Sequence, residues 1–477
     1  MSWVNSGGKI GRDREVGLLE ERWEQAAEGM GQIVLLIGEA GLGKSRLVHV
    51  MKEHVTQQST EDGDPIIEWR TTPHHQNSSF YPPTECFERI LGLGGHSPGQ
   101  KLDKLAAHLE ELNLDGDEEI GLLASLLSVP LDGRYPPLKL NPQLQKEKTF
   151  DLLVDWLKEC SYRQPVLFIV EDLHWVDPTT LEFLELLVDQ GFSDSILTLL
   201  TFRPEFETPW KSKAHQTQVA LNRLTKRQLG EMMVLKSGIK KIPQNVIDLV
   251  VERTDGVPLF VEEFTTMVLE QGSIREVDGE MHMSESFPVH EIPATLQDLL
   301  MARLDRMASD IEVVQLGAAV GREFSHELIQ AVSPLQEREL QSELEKLVEA
   351  ELLFQRGRGH RSRYIFKHAL IQDAAYQSLL KKKRQQFHQQ IAEVLEKQFP
   401  DTASNQPELL AHHFTEASLA QQAVEYWGRA GTRALGRCAH IEAIGHLNRG
   451  IDDYDAGDRT PAMKKLPVEE WAQAVEK

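Results

Sequence analysis

Residues 33–48 read IVLLIGEAGLGKSRLV, an apolar run that breaks into glycines and is followed by a lysine and a serine. Gly38, Gly41, Gly43, Lys44 and Ser45 fit the pattern G-x-x-x-x-G-K-[ST], between a predicted strand and a predicted helix. Glycines let the backbone bend so that successive N–H groups face a phosphate, beside the positive end of the following helix. Lys44 would reach the β- and γ-phosphates, and the Ser45 hydroxyl would bind Mg²⁺. The pattern therefore predicts a nucleoside triphosphate site.

The composition is that of a globular protein with a strong acidic excess. The 477 residues include 51 basic and 74 acidic side chains, which gives a formal net charge of -23. So negative a chain has no general attraction for DNA or anionic lipid, and it does not favour nucleic acid as a partner. The three cysteines are far apart, and no apolar run approaches the roughly 20 residues that cross a bilayer. Because the N-terminus also lacks an apolar signal core, the sequence predicts a cytoplasmic protein without membrane contact.

The first 225 residues alternate short apolar segments with amphipathic ones. The strand candidates are rich in Val, Ile and Leu: QIVLLIG (32–38), PIIEWR (65–70), PVLFIVED (165–172), SILTLLTF (195–202) and QVALN (218–222). Helix-like segments such as LLVDWLKEC and TLEFLELLVDQ separate them. The fold class predicted from this alternation is multidomain α/β plus α. It begins with a P-loop NTPase domain at 1–225, built on a parallel sheet that is covered on both faces.

After residue 225 the pattern becomes helical. Residues 226–289 are predicted to form a helical lid domain that ends in a loop at 272–290. Residues 290–385 place helices before LLFQRGRGHRSRYIFKH, two short strands around a basic, glycine-rich turn, and this order indicates a winged helix. Residues 386–477 are predicted to be helical, and AVEYWGRAGTRALGRCAHIEAIGHLNRG (423–450) resembles a TPR-like helical hairpin. Because stacked repeats need about three units, this segment looks incomplete.

Two adjacent carboxylates end an apolar strand candidate in VLFIVEDLHWVD. Glu171 and Asp172 would lie at the carboxyl edge of the sheet, where ligands of open α/β folds bind. One can hold Mg²⁺ and the other can orient the attacking water, and the assignment is left open. The next strand ends in Arg203, which can point at the γ-phosphate or lie on the surface beside a proline turn. Asp177 is expected to cap the helix that begins at Pro178.

Five stretches, taken in order, resemble one family. They are IGRDREVGLLEERW (10–23), GEAGLGKS (38–45), FIVEDLHWVDPTTLEFL (168–184), TFRPEF (201–206) and DGVPLFVEE (255–263). With IPATLQDLLMARLDRM, AAVGREFSHELI and YIFKHALIQDAAYQSLL, they cover about residues 10–450. The chain is similar to STAND-type signalling ATPases of the AAA-like class. It resembles the ATPase module of bacterial class III adenylate/guanylate cyclase-associated proteins and the ATPase part of MalT-like regulators.

The resemblance implies roles for residues that spacing alone does not assign. The backbone near Gly11 and Arg12 would lie against the adenine or ribose, and Pro258 of the lid would pack on the base. His368 in YIFKHAL resembles the winged-helix histidine that contacts the β-phosphate of ADP, although a histidine beside an apolar strand is often a core residue. The implied cofactors are ATP/ADP and Mg²⁺. The helical C-terminal region would bind a protein partner or a second copy of the chain.

These features predict an ATP/ADP-switched regulator in signal transduction, with weak ATPase activity. Many related ATPases have Asp-Glu where this chain has Glu171-Asp172, which fits slow hydrolysis. Cyclase relatives carry a catalytic domain before the ATPase, and no part of this sequence resembles one, so cyclase activity is not expected of it. The main alternative is an Orc/Cdc6-like DNA-handling ATPase, which shares the P-loop and winged helix. A small-molecule phosphotransferase is a third possibility.

Overall fold

The chain divides into two units. The computed structural model describes residues 11–59, 64–191, 194–211, 213, 215–237, 244–270, 274–277, 280–283, 295–306, 311–357, 359, 362–457, 463, 466–468 and 470–471. The first unit comprises Met1–Leu18, Ile37–Leu47 and Ala220–Phe387. The second comprises Leu19–Leu36, Val48–Val219 and His388–Lys477.

A five-stranded sheet is the core of the α/β part. Its strands are β1 (Gln32–Ile37), β2 (Ile66–Arg70), β3 (Val166–Glu171), β4 (Ile196–Phe202) and β5 (Gln216–Ala220), in the order β2-β3-β4-β1-β5. β3 pairs in parallel with both β2 and β4. Every residue of β4 is buried, as expected for a strand that lies between two others and is covered on both faces. The parallel sheet and the five strands predicted from the sequence are confirmed.

Helices precede and connect these strands. They are α1 (Asp13–Ala27), α2 (Lys44–Gln58), α3 (Tyr81–Ile90), α4 (Pro98–Glu111), α5 (Asp117–Leu126), α6 (Pro142–Arg163) and α7 (Pro178–Gln190). As predicted, Asp177 caps α7 by accepting from the N–H of Thr180 at 2.9 Å. The same carboxylate oxygen accepts from the N–H of Phe80 at 3.1 Å, so the cap also fixes the start of α3.

Three helices of the first unit, predicted as the lid, surround an apolar cluster. They are α8 (Lys226–Ser237), α9 (Gln244–Thr254) and α10 (Pro258–Glu270), and the cluster includes Leu229, Phe260 and Phe264. The loop predicted at 272–290 is wrong in part, because β6 (Ile274–Val277) and β7 (Glu280–Met283) pair antiparallel there. The sequence Asp-Gly between them is a two-residue hairpin signal that the prediction missed. The rest of that loop, and the predicted boundary at 289–290, lie outside the described residues.

Among the described residues, the region predicted as a winged helix contains five complete helices and a small sheet. Its elements are α11 (Leu296–Arg306), α12 (Ile311–Val320), β8 (Glu323–Ser325), α13 (His326–Val332), α14 (Glu337–Glu349), β9 (Leu353–Arg356), β10 (Arg363–Phe366) and α15 (Ala369–Gln377). β10 pairs antiparallel with β9 on one side and with β8 on the other. The two predicted strands are therefore present, and β8 adds a third. The winged-helix assignment stays a prediction.

The last described part of the chain is helical, as the sequence predicted. Its helices are α16 (Lys381–Gln398), α17 (Pro400–Asn405), α18 (Pro407–Glu416), α19 (Ala420–Gly436) and α20 (His440–Ala456). α19 and α20 pack closely. A Cβ added to Gly431 of α19 would lie only 2.5 Å from the Leu447 side chain of α20. No helix among the described residues is both long and apolar enough to cross a membrane.

A group of histidines packs within the second unit, with His388 and His413 buried and His74 and His412 half-buried. The rings of His74 and His412 lie 5.3 Å apart, and Nδ1 of His388 lies 2.7 Å from Nδ1 of His413. Burial lowers the pKa of His74 to about 3 and that of His412 to about 4, and it holds the pKa of His413 well below its usual range. At neutral pH these imidazoles are therefore uncharged, and charging them costs free energy in the folded state.

We expect the second unit to lose stability in mild acid. A histidine whose folded pKa is lowered binds its proton more readily when unfolded, so stability is full above the unfolded value of about 6.5 and falls as the pH drops toward about 4. At pH 5 each such histidine should lower the free energy of unfolding by on the order of 1 kcal/mol or more. Calorimetric melting at pH 7.5 and pH 5 should show this loss.

The change His412→Asn should reduce the pH dependence of the melting temperature. The matched control is His440→Asn, because His440 is exposed at the start of α20. A melting temperature that is equal at the two pH values would contradict the account of buried neutral histidines.

Candidate nucleotide-binding site

The phosphate loop occupies residues 38–43, between the end of β1 and the start of α2. Gly41 has φ +81° and Gly43 has φ +100°, a backbone region that L side chains rarely adopt. At Gly38 a side chain would be crowded, because a Cβ there would lie 3.2 Å from the Cβ of Leu221. The three glycines therefore serve the turn and the packing of the loop.

Lys44 is the first residue of α2 and is only 7% exposed. Its Nζ donates to the carbonyl oxygens of Gly38 at 2.6 Å and of Glu39 at 3.1 Å. The ammonium is thus held at the loop, where it can meet a phosphate that the loop's N–H groups bind. Ser45 follows Lys44 and is exposed, so its side chain is accessible to a metal ion.

The loop is bonded to the start of α10 in the first unit. The N–H of Leu259 donates to the carbonyl of Gly41 at 3.2 Å. A Cβ on Gly41 would lie 3.1 Å from both Val257 Cγ1 and Leu259 Cβ, so only glycine lets the two segments approach this closely. Pro258 is the first residue of α10 and lies between these two contacts. The structure therefore brings Pro258 to the phosphate loop.

Residues 11 and 12 also lie at the loop. Arg12 donates through Nη2 to the carbonyl of Leu42 at 3.2 Å and to that of Asn222 at 2.6 Å. Its Nη1 pairs with Glu15 at 2.9 Å. The carbonyl of Gly11 accepts from Gln228 Nε2 at 3.0 Å. The sequence predicted that the backbone here meets the nucleotide, and the structure adds that the Arg12 side chain holds the phosphate loop.

An ion pair network on the surface joins the same segments. Arg223 pairs with Asp255 and lies 3.7 Å from Glu39 Oε2 in the phosphate loop. Gly256, with φ +75°, accepts a hydrogen bond from the N–H of Leu224 at 2.9 Å. Exposed pairs such as these contribute little to stability, so the contacts of Gly41 and Arg12 carry more of the connection.

In the second unit, threonines fix the two carboxylates predicted at the end of β3. Thr71 Oγ1, which follows β2, donates to the carbonyls of Glu171 and Asp172 at 2.8 and 2.7 Å. Thr201 Oγ1 in β4 accepts from the N–H of Asp172 at 3.0 Å, and Asp172 has φ +59°. Both neighbouring strands therefore set the backbone of this pair. Lys52 Nζ lies 3.8 Å from Glu171 Oε1.

Arg203 follows β4 directly and packs on an aromatic ring. Its guanidinium carbon lies 5.3 Å from the centre of the Trp175 ring, and Nη1 lies 3.9 Å from Glu205. Trp175 belongs to the short 3₁₀ turn at Leu173–Trp175, just after the carboxylates. The arginine is thus positioned by a cation–π contact within the second unit. Its predicted contact with the γ-phosphate, and the metal set of Ser45, Glu171 and Asp172, stay predictions.

His368 precedes α15 and lies beside two glutamates of α10. Glu262, Glu263 and His368 each offer one atom that could bind a metal ion, and these three atoms lie within 4.8 Å of one another. Burial lowers the pKa of His368 to about 4, so the ring is uncharged at neutral pH. It could meet a phosphate only as a neutral hydrogen-bond donor.

Cations already surround these two glutamates. Lys367 Nζ lies 3.0 Å from Glu262 Oε1, Lys236 Nζ lies 3.6 Å from it, and Arg303 pairs with Glu263. Burial raises the pKa of Glu262, but Lys367 and Lys236 outweigh it and the net shift is downward. The group is therefore an ion pair network, and its cations oppose a bound metal ion.

One protein-family model matches the first part of the chain. Residues 10–199 match the AAA ATPase domain family. An AAA ATPase domain implies nucleotide binding, typically with Mg²⁺. An uncharacterized protein of Rhizobium meliloti (strain 1021) is 26% identical over 473 residues, which are 97% of this chain and 44% of that protein. The chain thus spans less than half the length of this curated relative.

Solved structures with similarity to the chain include the following two. One is a Signal Transduction ATPase with Numerous Domains (STAND) protein with a tetratricopeptide repeat sensor from Pyrococcus horikoshii. Its TM-score is 0.48 at 12% identity, covering 98% of this chain and 64% of that one. The ORC2 protein of Aeropyrum pernix, in ADPNP and ADP complexes, gives a TM-score of 0.34 at 12% identity, covering 77% of this chain and 94% of that one.

The contact between Gly41 and residues 257–259 can be tested by a matched pair of variants. Gly41→Ala and Gly43→Ala both place alanine at a positive φ, but only the first also meets neighbouring side chains, since nothing lies within 4 Å of a Cβ on Gly43. We expect Gly41→Ala to lower the stability of the nucleotide-free protein by about 1 kcal/mol or more beyond Gly43→Ala, because overpacking adds to strain.

Thermal melting and amide hydrogen exchange at residues 257–263 give the readout. Exchange at Leu259 should be faster in Gly41→Ala than in Gly43→Ala. Equal stability and equal exchange in the two variants would show that the contact is not maintained in solution.

Proposed function

We propose that the chain is an ATP-binding regulatory ATPase of the STAND type, which acts as an ATP/ADP conformational switch in signal transduction. Its domains would be the AAA ATPase domain, a helical lid at 226–289, a winged helix at 290–385 and a TPR-like helical segment at 386–477. This assignment places it near the ATPase modules of class III cyclase-associated proteins and MalT-like regulators. It would work in the cytoplasm and hydrolyse ATP slowly.

The observation that carries this proposal is the bond from Leu259 N–H to the carbonyl of Gly41. A phosphate held by the loop would act on the same backbone that contacts the lid. A nucleotide shifts a conformational equilibrium only by its different affinity for the two states, and this contact offers a place for that difference. ADP and ATP differ there by one phosphate.

A continuous set of contacts supports transmission within the first unit. α10 begins at Pro258, beside the phosphate loop, and one turn later carries Glu262 and Glu263. Glu262 pairs with Lys367, next to His368, and Lys367 also pairs with Glu351 at 2.8 Å. A change in the tilt of α10 would therefore alter an ion pair network at the start of α15. In the ADP state, His368 would add a hydrogen bond to the β-phosphate.

The charge of the predicted winged-helix region favours a regulatory role over DNA handling. Arg363 pairs with Glu323 at 3.0 Å, and Lys383 pairs with Glu312 at 2.6 Å. Arg384 packs over the ring of Tyr376 at 4.6 Å. These exposed pairs lower the positive charge that the region offers to a phosphate backbone, as does the formal net charge of -23. The Orc/Cdc6-like function remains the alternative, and the helical C-terminal segment would be the surface for a protein partner or a second copy.

The nucleotide site is tested by Lys44→Ala. We expect this variant to lose ATP and ADP binding in isothermal titration calorimetry, because the ammonium supplies the positive charge at the phosphates. The matched control is Lys139→Ala, an exposed lysine of the 131–140 segment, which should bind as the natural chain does. Unchanged ATP affinity in Lys44→Ala would rule out this site.

The carboxylates are tested by Glu171→Gln and Asp172→Asn. The variant that loses the Mg²⁺ ligand should bind ATP more weakly than the natural chain when Mg²⁺ is present. In EDTA the two should bind ATP equally well. The variant that loses the water-orienting group should keep its affinity and lose phosphate release, by roughly 100-fold on the usual contribution of a general base. Glu207→Gln, at an exposed position after β4, is the control. Wild-type turnover in both variants would refute the assignment.

A further inference from the structure

The second unit contains a polar cleft that the nucleotide site does not use. It is open to solvent, and the space in which the centre of a water-sized molecule fits is about 50 Å³. Residues 77–88, the end of α5 and helices α17 to α19 form its walls. Charged and polar side chains that line it include Ser78, Ser128, Glu408, Arg433, Arg437 and His446. Such a lining suits a small polar ligand better than an apolar one.

Two arginines stand four residues apart at the end of α19. Arg433 Nη2 donates to Ser128 Oγ at 2.8 Å, and Arg437 Nη2 donates to the same oxygen at 3.3 Å. Arg433 Nη1 also reaches the carbonyl of Ser404, and Arg437 reaches the carbonyls of Ser79 and Leu126. Within the described residues, these hydrogen bonds all end on neutral oxygens.

The nearby carboxylates balance these charges poorly. Glu408 is only 9% exposed, and burial raises its pKa, which disfavours its charged form. Asp177 and Glu442 are also buried, but they accept hydrogen bonds from backbone N–H groups at the start of α7, Asp177 from Thr180 and Glu442 from Thr179. Burial lowers the pKa of Arg437 to about 10, so its positive charge is costly there without an anion.

Two further residues shape the cleft. His446 is 2% exposed and stacks on Trp427, and its Nδ1 has no hydrogen-bond partner among the described residues. Burial lowers the pKa of His446 to about 4, so at neutral pH the ring is uncharged, and its one N–H is engaged with the backbone of Asn77. Ser128 has φ +55°, a strained conformation for a serine, which places its hydroxyl within reach of both arginines.

We propose that this cleft binds a small oxyanion, the phosphate or carboxylate group of a metabolite, through the guanidinium groups of Arg433 and Arg437. A guanidinium presents two parallel N–H groups that match a carboxylate or phosphate edge. A bound oxyanion would neutralise the charge that Glu408 balances poorly. The site belongs to the second unit and does not depend on the proposed nucleotide switch.

The test is calorimetric titration of the full chain with inorganic phosphate and, separately, with malonate, at matched ionic strength in chloride. Because the phosphate loop could itself bind anions, both titrations are made with and without saturating ADP, and again in Lys44→Ala. We expect saturable binding of at least one anion that persists under all these conditions. Phosphate binding alone would identify a phosphorylated ligand, and malonate binding alone a carboxylate.

Matched variants locate the site on α19. Arg433→Gln should weaken binding at least tenfold, as should Arg437→Lys, which keeps the charge but loses the fork. Arg429→Gln, an exposed position one turn earlier on the same helix, should leave binding unchanged. If Arg433→Gln does not fold by circular dichroism, Arg437→Lys decides. Absence of saturable binding of both anions to the natural chain, or equal affinity in the folded variants, would overturn the proposal.

Discussion

The close approach of the phosphate loop to the start of α10 is the constraint on which the first unit depends. It requires glycine at position 41, because a Cβ there would crowd the side chains of Val257 and Leu259. It also requires the backbone bond between Leu259 and Gly41. The phosphate loop and the helices predicted as the lid are therefore not independent. Whatever the loop binds acts directly on the first turn of α10.

Arg12 extends this connection to the beginning of the chain. By bonding the carbonyls of Leu42 and Asn222, it ties the segment before α1 to both the phosphate loop and the segment after β5. A nucleotide in the loop would thus be enclosed by three segments far apart in sequence, which is the arrangement expected of a ligand-controlled closure. Glu262 and Glu263, one turn into α10, join this helix to a network of ion pairs.

Sequence reasoning predicted what local patterns determine. The five strands, the phosphate loop, the Asp177 cap and the paired strands around the 357–362 turn follow from short-range periodicity and turn chemistry. The β6–β7 hairpin was also local, but its Asp-Gly signal was overlooked among polar residues. What could not be predicted depends on contacts between distant segments. Arg433 meets Ser128 across 305 residues, and no motif at either position indicates that pairing.

The same limit applies to the candidate nucleotide site. The carboxylates of β3 could be found because a phosphate loop calls for an acidic strand end. Their support by Thr71 and Thr201 depends on the strand order, which the sequence does not specify. His368 came from a family resemblance, and its uncharged state follows from burial that only the fold reveals.

The most direct measurement of the central claim is the nucleotide that the purified chain retains. The protein would be isolated without added nucleotide, denatured, and its released nucleotides separated by anion-exchange chromatography. The account predicts ADP in nearly stoichiometric amount, because the closed lid and phosphate loop hold the resting state. An empty site combined with rapid ATP turnover would contradict it, since that behaviour belongs to a motor and not to a switch.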